Sequence, residues 1–120
     1  MPRFRILVAY EEQYLAYARA FEAVIRIAEP SAIVKVASLG EMRTEAYCFS
    51  PHLVISSRSP DSYPAPPAAW FRLSPEPEEP SEFRLGDRRW VCTNPDLDAL
   101  TRVVDAVGGL VREGRHSAAV

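Results

Sequence analysis

The chain has 120 residues, 48% of them hydrophobic, and its 14 basic and 16 acidic side chains leave a net charge of −2. This size suits a single domain with one core, and the interspersed charges lack the basic stripe of a protein that binds nucleic acid directly. No segment approaches the roughly 20 apolar residues of a membrane span, so we expect a cytoplasmic protein without a membrane partner. Cys48 and Cys92 lack the spacing of a metal or redox motif, and we expect neither a metal nor a cofactor.

The N-terminal part of the chain predicts a strand followed by a long helix. The run from Phe4 to Tyr10 is almost continuously apolar, which is typical of a central strand buried on both faces. From Glu11 onward, apolar residues recur at helical spacing over about five turns, and Pro30 ends this helix. The apolar stripe of the helix consists of Tyr14, Ala18, Phe21, Ile25 and Ala28.

A second strand and helix are expected next. Residues 32–37 form the strand, with Lys35 facing outward near an edge of the sheet. A shorter helix runs from residue 39 to about Phe49, and Pro51 stops it. Residues 53–56 are then predicted as a third strand, buried on both faces.

The middle of the chain contains most of the 11 prolines and is predicted to be irregular. The prolines within residues 58–67 do not permit a regular crossover helix. Residues 69–73 resume as a fourth strand. Residues 83–85 and 89–92 flank Gly86, whose freedom to adopt a positive φ predicts a β-hairpin.

The C-terminal part predicts one more helix. Asn94 is its expected N-cap, Pro95 its first residue, and Leu97, Leu100, Val103, Val104, Val107, Leu110 and Val111 its apolar stripe. The order of elements predicts a three-layer α/β sandwich with a mainly parallel five-stranded sheet in the order 2-1-3-4-5. We expect the third and fourth helices to be shortened or lost, a domain over residues 1–112, and a flexible tail over 113–120.

Several segments resemble, in the correct order over residues 4–110, a response-regulator receiver domain. The sequence Pro51-His52-Leu53-Val54-Ile55-Ser56-Ser57 resembles the receiver strand that ends in the phosphoaccepting aspartate, and this aspartate falls on Ser57. The sequence from Asn94 to Leu100 resembles the Lys-Pro entry to the last receiver helix, with Asn94 at the lysine position. The resemblance implies a flavodoxin-like, receiver-like fold.

The remaining receiver positions concern the chemistry. The metal-binding acids of the family fall on Tyr10 and Glu11, and its hydroxyl residue matches Ser74. In the family an aspartate takes up a phosphoryl group while Mg²⁺ neutralises charge, and a lysine pairs with the product. Because the aspartate, one acid and the lysine are replaced here, the resemblance implies a degenerate pocket formed by Tyr10, Glu11, Ser57, Ser74 and Asn94, without phosphotransfer.

The preferred functional hypothesis is therefore a non-catalytic regulatory module that binds protein without phosphorylation and forms a homodimer. Its interface is expected among Trp70, Phe83, Trp90 and Leu97, although core filling is the more common role of such aromatic residues. The alternative is a small-molecule or anion sensor, or a weak enzyme, that uses the polar carboxyl edge of the sheet. No glycine-rich phosphate loop follows the first strand, which argues against a nucleotide ligand.

Overall fold

The computed structural model describes residues 3–58, 69–74, 79–92 and 97–113. These residues form one six-stranded sheet and three α-helices, so the predicted mixed α/β class is confirmed. In chain order the elements are β1 (Arg5–Tyr10), a short 3-10 helix (Glu12–Tyr14), α1 (Leu15–Ala28), β2 (Ile33–Ser38), α2 (Leu39–Phe49), β3 (Leu53–Ser56), β4 (Ala69–Arg72), β5 (Ser81–Leu85), β6 (Arg88–Cys92) and α3 (Leu97–Arg112).

The strands are arranged in the order β2-β1-β3-β4-β5-β6. The strands from β2 to β4 are parallel to one another, whereas β5 is antiparallel to β4 and β6 is antiparallel to β5. The prediction of a five-stranded sheet in the order 2-1-3-4-5 is therefore wrong, since a sixth strand extends the order and the last two strands are antiparallel. The short connection over residues 73–80 explains the reversal, because a parallel crossover needs a dozen or more residues.

The predicted hairpin is confirmed as β5 and β6. Gly86 has a φ of 59°, and Asp87 is not among the non-glycine residues with positive φ. A positive φ at only the first of the two turn residues is the pattern of a type II′ turn, where glycine is preferred at that position. The turn places Leu85 opposite Arg88 and aligns the two strands without a bulge.

One face of the sheet carries the larger core, and α1 and α3 cover it. The two helices contact each other and turn an apolar stripe toward the strands. Alternate residues of each strand point to this face. The fully buried members of this core include Ile6, Val8, Ala18, Ile25, Leu53, Ile55, Phe71, Leu100, Val104 and Val107.

The opposite face carries a smaller core under α2. Met42 of α2 is fully buried against Leu7 and Ala9 of β1, Val54 of β3 and Trp70 of β4. Helices therefore cover both faces of the sheet, as the predicted three-layer arrangement requires.

Local polar contacts explain where α2 begins and ends. At its start, the Ser38 hydroxyl donates to the Glu41 carboxylate at 2.9 Å, and the Ser38 N–H donates to the same oxygen at 3.4 Å. At its end, Ser50 adopts a left-handed backbone with a φ of 50°, and its N–H donates to the Ala46 carbonyl at 3.2 Å. The helix thus stops before Pro51, as predicted.

Some predictions fall outside the described residues. They include most of the segment between β3 and β4, where the third helix was expected to be shortened or lost, and the centre of the segment between β4 and β5, where the same was expected of the fourth helix. They also include the Asn94-Pro95 helix entry and nearly all of the predicted tail. None of the helices at residues 15–28, 39–49 and 97–112 is long and apolar enough to cross a membrane.

Candidate functional site

The carboxyl edge of the parallel strands brings Glu11 and Ser57 into contact. Glu11 directly follows β1 and Ser57 directly follows β3, and these strands are parallel neighbours. The Ser57 hydroxyl donates to the Glu11 carboxylate, with distances of 3.0 Å to Oε1 and 3.1 Å to Oε2. Both side chains are only half-buried. The hydroxyl proton and the carboxylate are thus already engaged with each other.

Two features of this pair bear on phosphotransfer and on metal binding. A serine hydroxyl is a weak nucleophile unless an adjacent base of suitable basicity activates it, and a carboxylate is a much weaker base than a serine alkoxide. Among the described residues, no group of three or more His, Cys, Asp or Glu side chains is placed to hold a metal ion. The Glu11–Ser57 contact therefore resembles a structural hydrogen bond more than a catalytic pair.

Tyr10 lies in the core beneath this edge. Its side chain is 1% exposed and belongs to the core under α1 and α3, where its ring contacts Phe21 with centroids 5.7 Å apart. Its hydroxyl donates to the Leu73 carbonyl, which joins the end of β1 to the residue after β4. Burial, followed by the negative charge of Glu11, raises the pKa of Tyr10 well above its ordinary value. Tyr10 therefore stabilises the strand ends and does not line an open pocket.

The other two predicted pocket residues do not join the Glu11–Ser57 contact. The Ser74 hydroxyl donates to the Glu79 carboxylate at 3.0 Å, and the Ser74 N–H donates to the Ser81 hydroxyl oxygen at 3.3 Å. These contacts tie the end of β4 to the start of β5. Asn94 lies outside the described residues.

Hydrogen bonds explain the polar end of β3. Ser56 is fully buried, and its hydroxyl oxygen accepts the Arg58 N–H at 3.1 Å. Its carbonyl accepts the Leu73 N–H at 2.9 Å, while the Trp70 indole N–H donates to the Arg58 carbonyl at 2.7 Å. The serines that end this strand thus satisfy backbone groups of the turn or the neighbouring carboxylate.

The hairpin presents apolar side chains at the edge of the sheet. Phe71, Phe83 and Trp90 form a row across β4, β5 and β6, in which Phe71 meets Phe83 edge-on and Phe83 stacks on Trp90 with centroids 5.3 Å apart. Exposure rises along the row, from 0% for Phe71 and 9% for Phe83 to 42% for Trp90. Val91, on the opposite face of β6, is 62% exposed. The row therefore begins in the core and ends on the surface.

The four predicted interface residues thus have different positions. Trp90 is exposed, Phe83 is buried beneath it, and Trp70 is 2% exposed in the core under α2. Leu97 begins α3, but its side chain lies outside the description. Of the three residues whose side chains are described, only Trp90 is available for contact with another molecule.

A buried carboxylate lies on the other face of the hairpin. Glu82 is 3% exposed, contacts the Arg84 guanidinium at 3.2 Å, and also contacts the Arg89 guanidinium. This cluster was not predicted from the sequence. In the register of the hairpin, Glu82 is opposite Val91 and Arg84 is opposite Arg89, so Arg89 reaches Glu82 diagonally across the two strands. An acid between two guanidinium groups is stabilised by both.

A second ion pair, between Glu29 and Arg112, was also not predicted. It lies at the end of the sheet opposite to the Glu11–Ser57 contact. Arg112 Nη1 donates to both Glu29 carboxylate oxygens at 3.0 Å. It borders an open groove of about 550 Å³ lined by Arg3, Phe4, Pro30, Ser31, Ala32, Val111 and Arg112. Because the partners are 83 residues apart, no local sequence pattern links them.

Comparisons with known proteins give no family. No family model and no curated protein matches the chain. Among solved structures, the RNA-binding domain of threonyl-tRNA synthetase from Cryptosporidium parvum Iowa II is similar with 14% sequence identity and a TM-score of 0.48. The match covers 89% of this chain but 24% of that chain. A likeness at this level assigns no function to the chain.

Proposed function

We propose that the chain is a receiver-like, non-catalytic regulatory module that binds protein independently of phosphorylation. The observation that carries the proposal is the hydrogen bond between Ser57 and Glu11. By the resemblance, Ser57 is at the phosphoacceptor position and Glu11 at a metal-acid position. Their side chains are hydrogen-bonded to each other, so a phosphoryl group or a metal would have to displace this contact.

Electrostatics also argues against phosphorylation of Ser57 in the folded protein. A phosphoserine carries a charge of roughly −2 and would face the Glu11 carboxylate within a few ångströms. At about 4 Å and an effective dielectric constant of about 20, each pair of like unit charges costs about 4 kcal/mol. Phosphorylation would therefore require Glu11 to move away or to become protonated.

The hairpin edge supports the protein-binding part of the proposal. Trp90 is 42% exposed, and its stacking on buried Phe83 holds the indole in place before any partner binds. Aromatic residues fixed in this way supply much of the binding energy of protein interfaces at little cost in side-chain entropy. We therefore assign the interaction surface to β6.

The second candidate is a sensor of a small molecule or anion at the carboxyl edge of the sheet. A ligand there would have to compete with the Glu11–Ser57 hydrogen bond and with the contacts of Ser74. Thermal unfolding in the presence of metabolites distinguishes the candidates, because a ligand of the folded state raises the unfolding temperature by mass action.

A titration with Mg²⁺ and beryllofluoride, a mimic of the phosphoryl group, tests the loss of phosphoacceptor function. The backbone amide resonances of Glu11 and Ser57 are followed by nuclear magnetic resonance. We expect no saturable shift of either amide. Saturable shifts centred on this pair would show a working phosphoryl site and would refute the proposal.

Matched variants test the interaction surface. Trp90→Ser removes the exposed indole from β6, whereas Tyr47→Ser removes an 86% exposed aromatic ring from α2. Proteins that co-purify with the wild type are quantified for both variants. We expect specific partners to be lost with Trp90→Ser and retained with Tyr47→Ser; the reverse pattern would place the surface on α2.

A further inference from the structure

The outer side of β6 is the basis for a more specific inference. Within residues 3–58, 69–74, 79–92 and 97–113, no strand pairs with β6 on the side away from β5. A strand edge of this kind offers backbone donors and acceptors to another strand. The opposite edge strand, β2, carries Lys35 in an ion pair with Glu45, and β6 carries Arg89 in an ion pair with Glu82, so the charges alone do not distinguish the two edges.

The hairpin register determines which backbone groups of β6 face outward. Leu85 and Arg88 flank a two-residue turn and therefore form the first hydrogen-bonded pair of the hairpin. Hydrogen-bonded and non-hydrogen-bonded pairs alternate along antiparallel strands. The amides of Arg88 and Trp90 thus point toward β5, whereas those of Arg89 and Val91 point away from it.

The sequence of β6 complements itself in an antiparallel arrangement. When two copies are centred on Trp90, each Arg89 lies opposite a Val91 of the other copy, and the two indoles lie opposite each other. The outward-facing amides then meet as hydrogen-bonded pairs, while the tryptophans occupy a non-hydrogen-bonded pair, where side chains come closest. A register centred on Arg89 would instead oppose like charges, and one centred on Val91 would separate the indoles.

We infer that the partner of the hairpin edge is a second copy of this chain, joined to β6 antiparallel in the register centred on Trp90. The inference rests on the proposed function, in which β6 is the interaction surface. The two sheets become one continuous sheet about a two-fold axis, and each copy presents the same surface to the other. Trp90 is already positioned for this contact by its stacking on Phe83.

Amide hydrogen exchange over a concentration series tests the pairing. We expect exchange at Arg89 and Val91 to slow as the chain concentration rises, while Arg88 and Trp90 serve as internal controls because their amides already face β5. Trp90→Ser should weaken self-association by at least about 100-fold, since each dimer loses two interface anchors. Tyr47→Ser should not change it.

Disulfide trapping tests the register while Trp90 remains in place. Arg89→Cys and Val91→Cys are prepared in a background with Cys48→Ser and Cys92→Ser. The opposed Cα atoms of a hydrogen-bonded pair, about 5.5 Å apart, are within the range of a disulfide. We expect cross-linking only when the two variants are mixed.

Every other outcome overturns the inference. Cross-linking of Val91→Cys alone or of Arg89→Cys alone would show a different register. A wild-type chain that stays monomeric at high concentration, but binds other proteins through Trp90, would refute self-pairing and leave the proposed function intact. If Trp90→Ser affected neither self-association nor partner binding, both proposals would fail.

Discussion

Alanine substitution at two adjacent glycines of α3 distinguishes close packing from helix propensity. A Cβ atom at Gly108 would lie 2.9 Å from Glu29 Oε1 and 3.1 and 3.2 Å from two ring carbons of Phe4. A Cβ atom at Gly109 would meet nothing within 4 Å. The neighbours of Gly108 are constrained, because Phe4 is 5% exposed and Arg112 holds both oxygens of Glu29.

The expected difference between the two variants follows from these contacts. Either substitution should gain about 0.5–1 kcal/mol of helix stability, because alanine loses less backbone entropy than glycine on folding. Only Gly108→Ala also pays for overpacking, which typically costs about 1–3 kcal/mol. We therefore expect Gly109→Ala to be more stable than the wild type, and Gly108→Ala to be less stable than Gly109→Ala by about 1–3 kcal/mol.

Urea unfolding followed by circular dichroism measures this difference. With a slope near 1.5 kcal/mol per molar urea, the midpoints of the two variants should differ by roughly 0.7–2 M. Because both substitutions are in the same helix, the propensity gain cancels in the comparison. Equal midpoints, or a higher midpoint for Gly108→Ala, would show that α3 does not approach Phe4 and Glu29 this closely.

Three further substitutions probe the carboxyl edge and the remote ion pair. Folded Tyr10 keeps its proton to a higher pH than unfolded tyrosine, because its pKa is raised. Its contribution to the free energy of unfolding should therefore be constant below pH about 10 and then fall by up to about 1.4 kcal/mol per pH unit, and Tyr10→Phe should reduce this alkaline fall in urea unfolding. Ser57→Asp should lower the thermal midpoint by placing a second carboxylate beside Glu11, and millimolar Mg²⁺ should restore it in the variant alone. Arg112→Met should lower the free energy of unfolding by about 1–2 kcal/mol, as measured by chemical unfolding. The substitution leaves the nearly buried Glu29 carboxylate without its cation, but the half-exposed position of Arg112 limits the loss.

Local sequence patterns were sufficient for the helices and most of the strands. The spacing of Ala18 and Ile25 predicted α1, and both residues are fully buried. Prolines at positions 30 and 51 gave the approximate ends of the first two helices, and Gly86 indicated the hairpin turn. These features depend on neighbours within a few residues, so they can be read without knowledge of the tertiary structure.

The direction of β5 follows from the length of the connection before it and not from the composition of the strand itself. A strand of the composition of β5 is compatible with parallel or antiparallel pairing, and its partner β4 determines the direction through the short connection between them. The order of strands and helices along the chain favoured a largely parallel sheet, and this general rule led to the error. The sixth strand follows from the same hairpin, which joins the sheet instead of lying outside it.

The candidate site was predictable where it depends on strand topology. Glu11 and Ser57 meet because parallel neighbouring strands end at the same edge. The orientation of Tyr10 was not predictable, because β1 is apolar on both faces and its pattern does not show which face a residue takes. The pairing of Glu29 with Arg112 depends on the packing of α3 and has no local signal.

Sedimentation equilibrium of the full chain, with and without Mg²⁺ and beryllofluoride, is the most direct test of a module that associates independently of phosphorylation. We predict that the average mass rises with concentration from one chain toward two, with the same midpoint in both buffers. A monomer at every concentration in both buffers, or a dimer that forms only with beryllofluoride, would contradict the account.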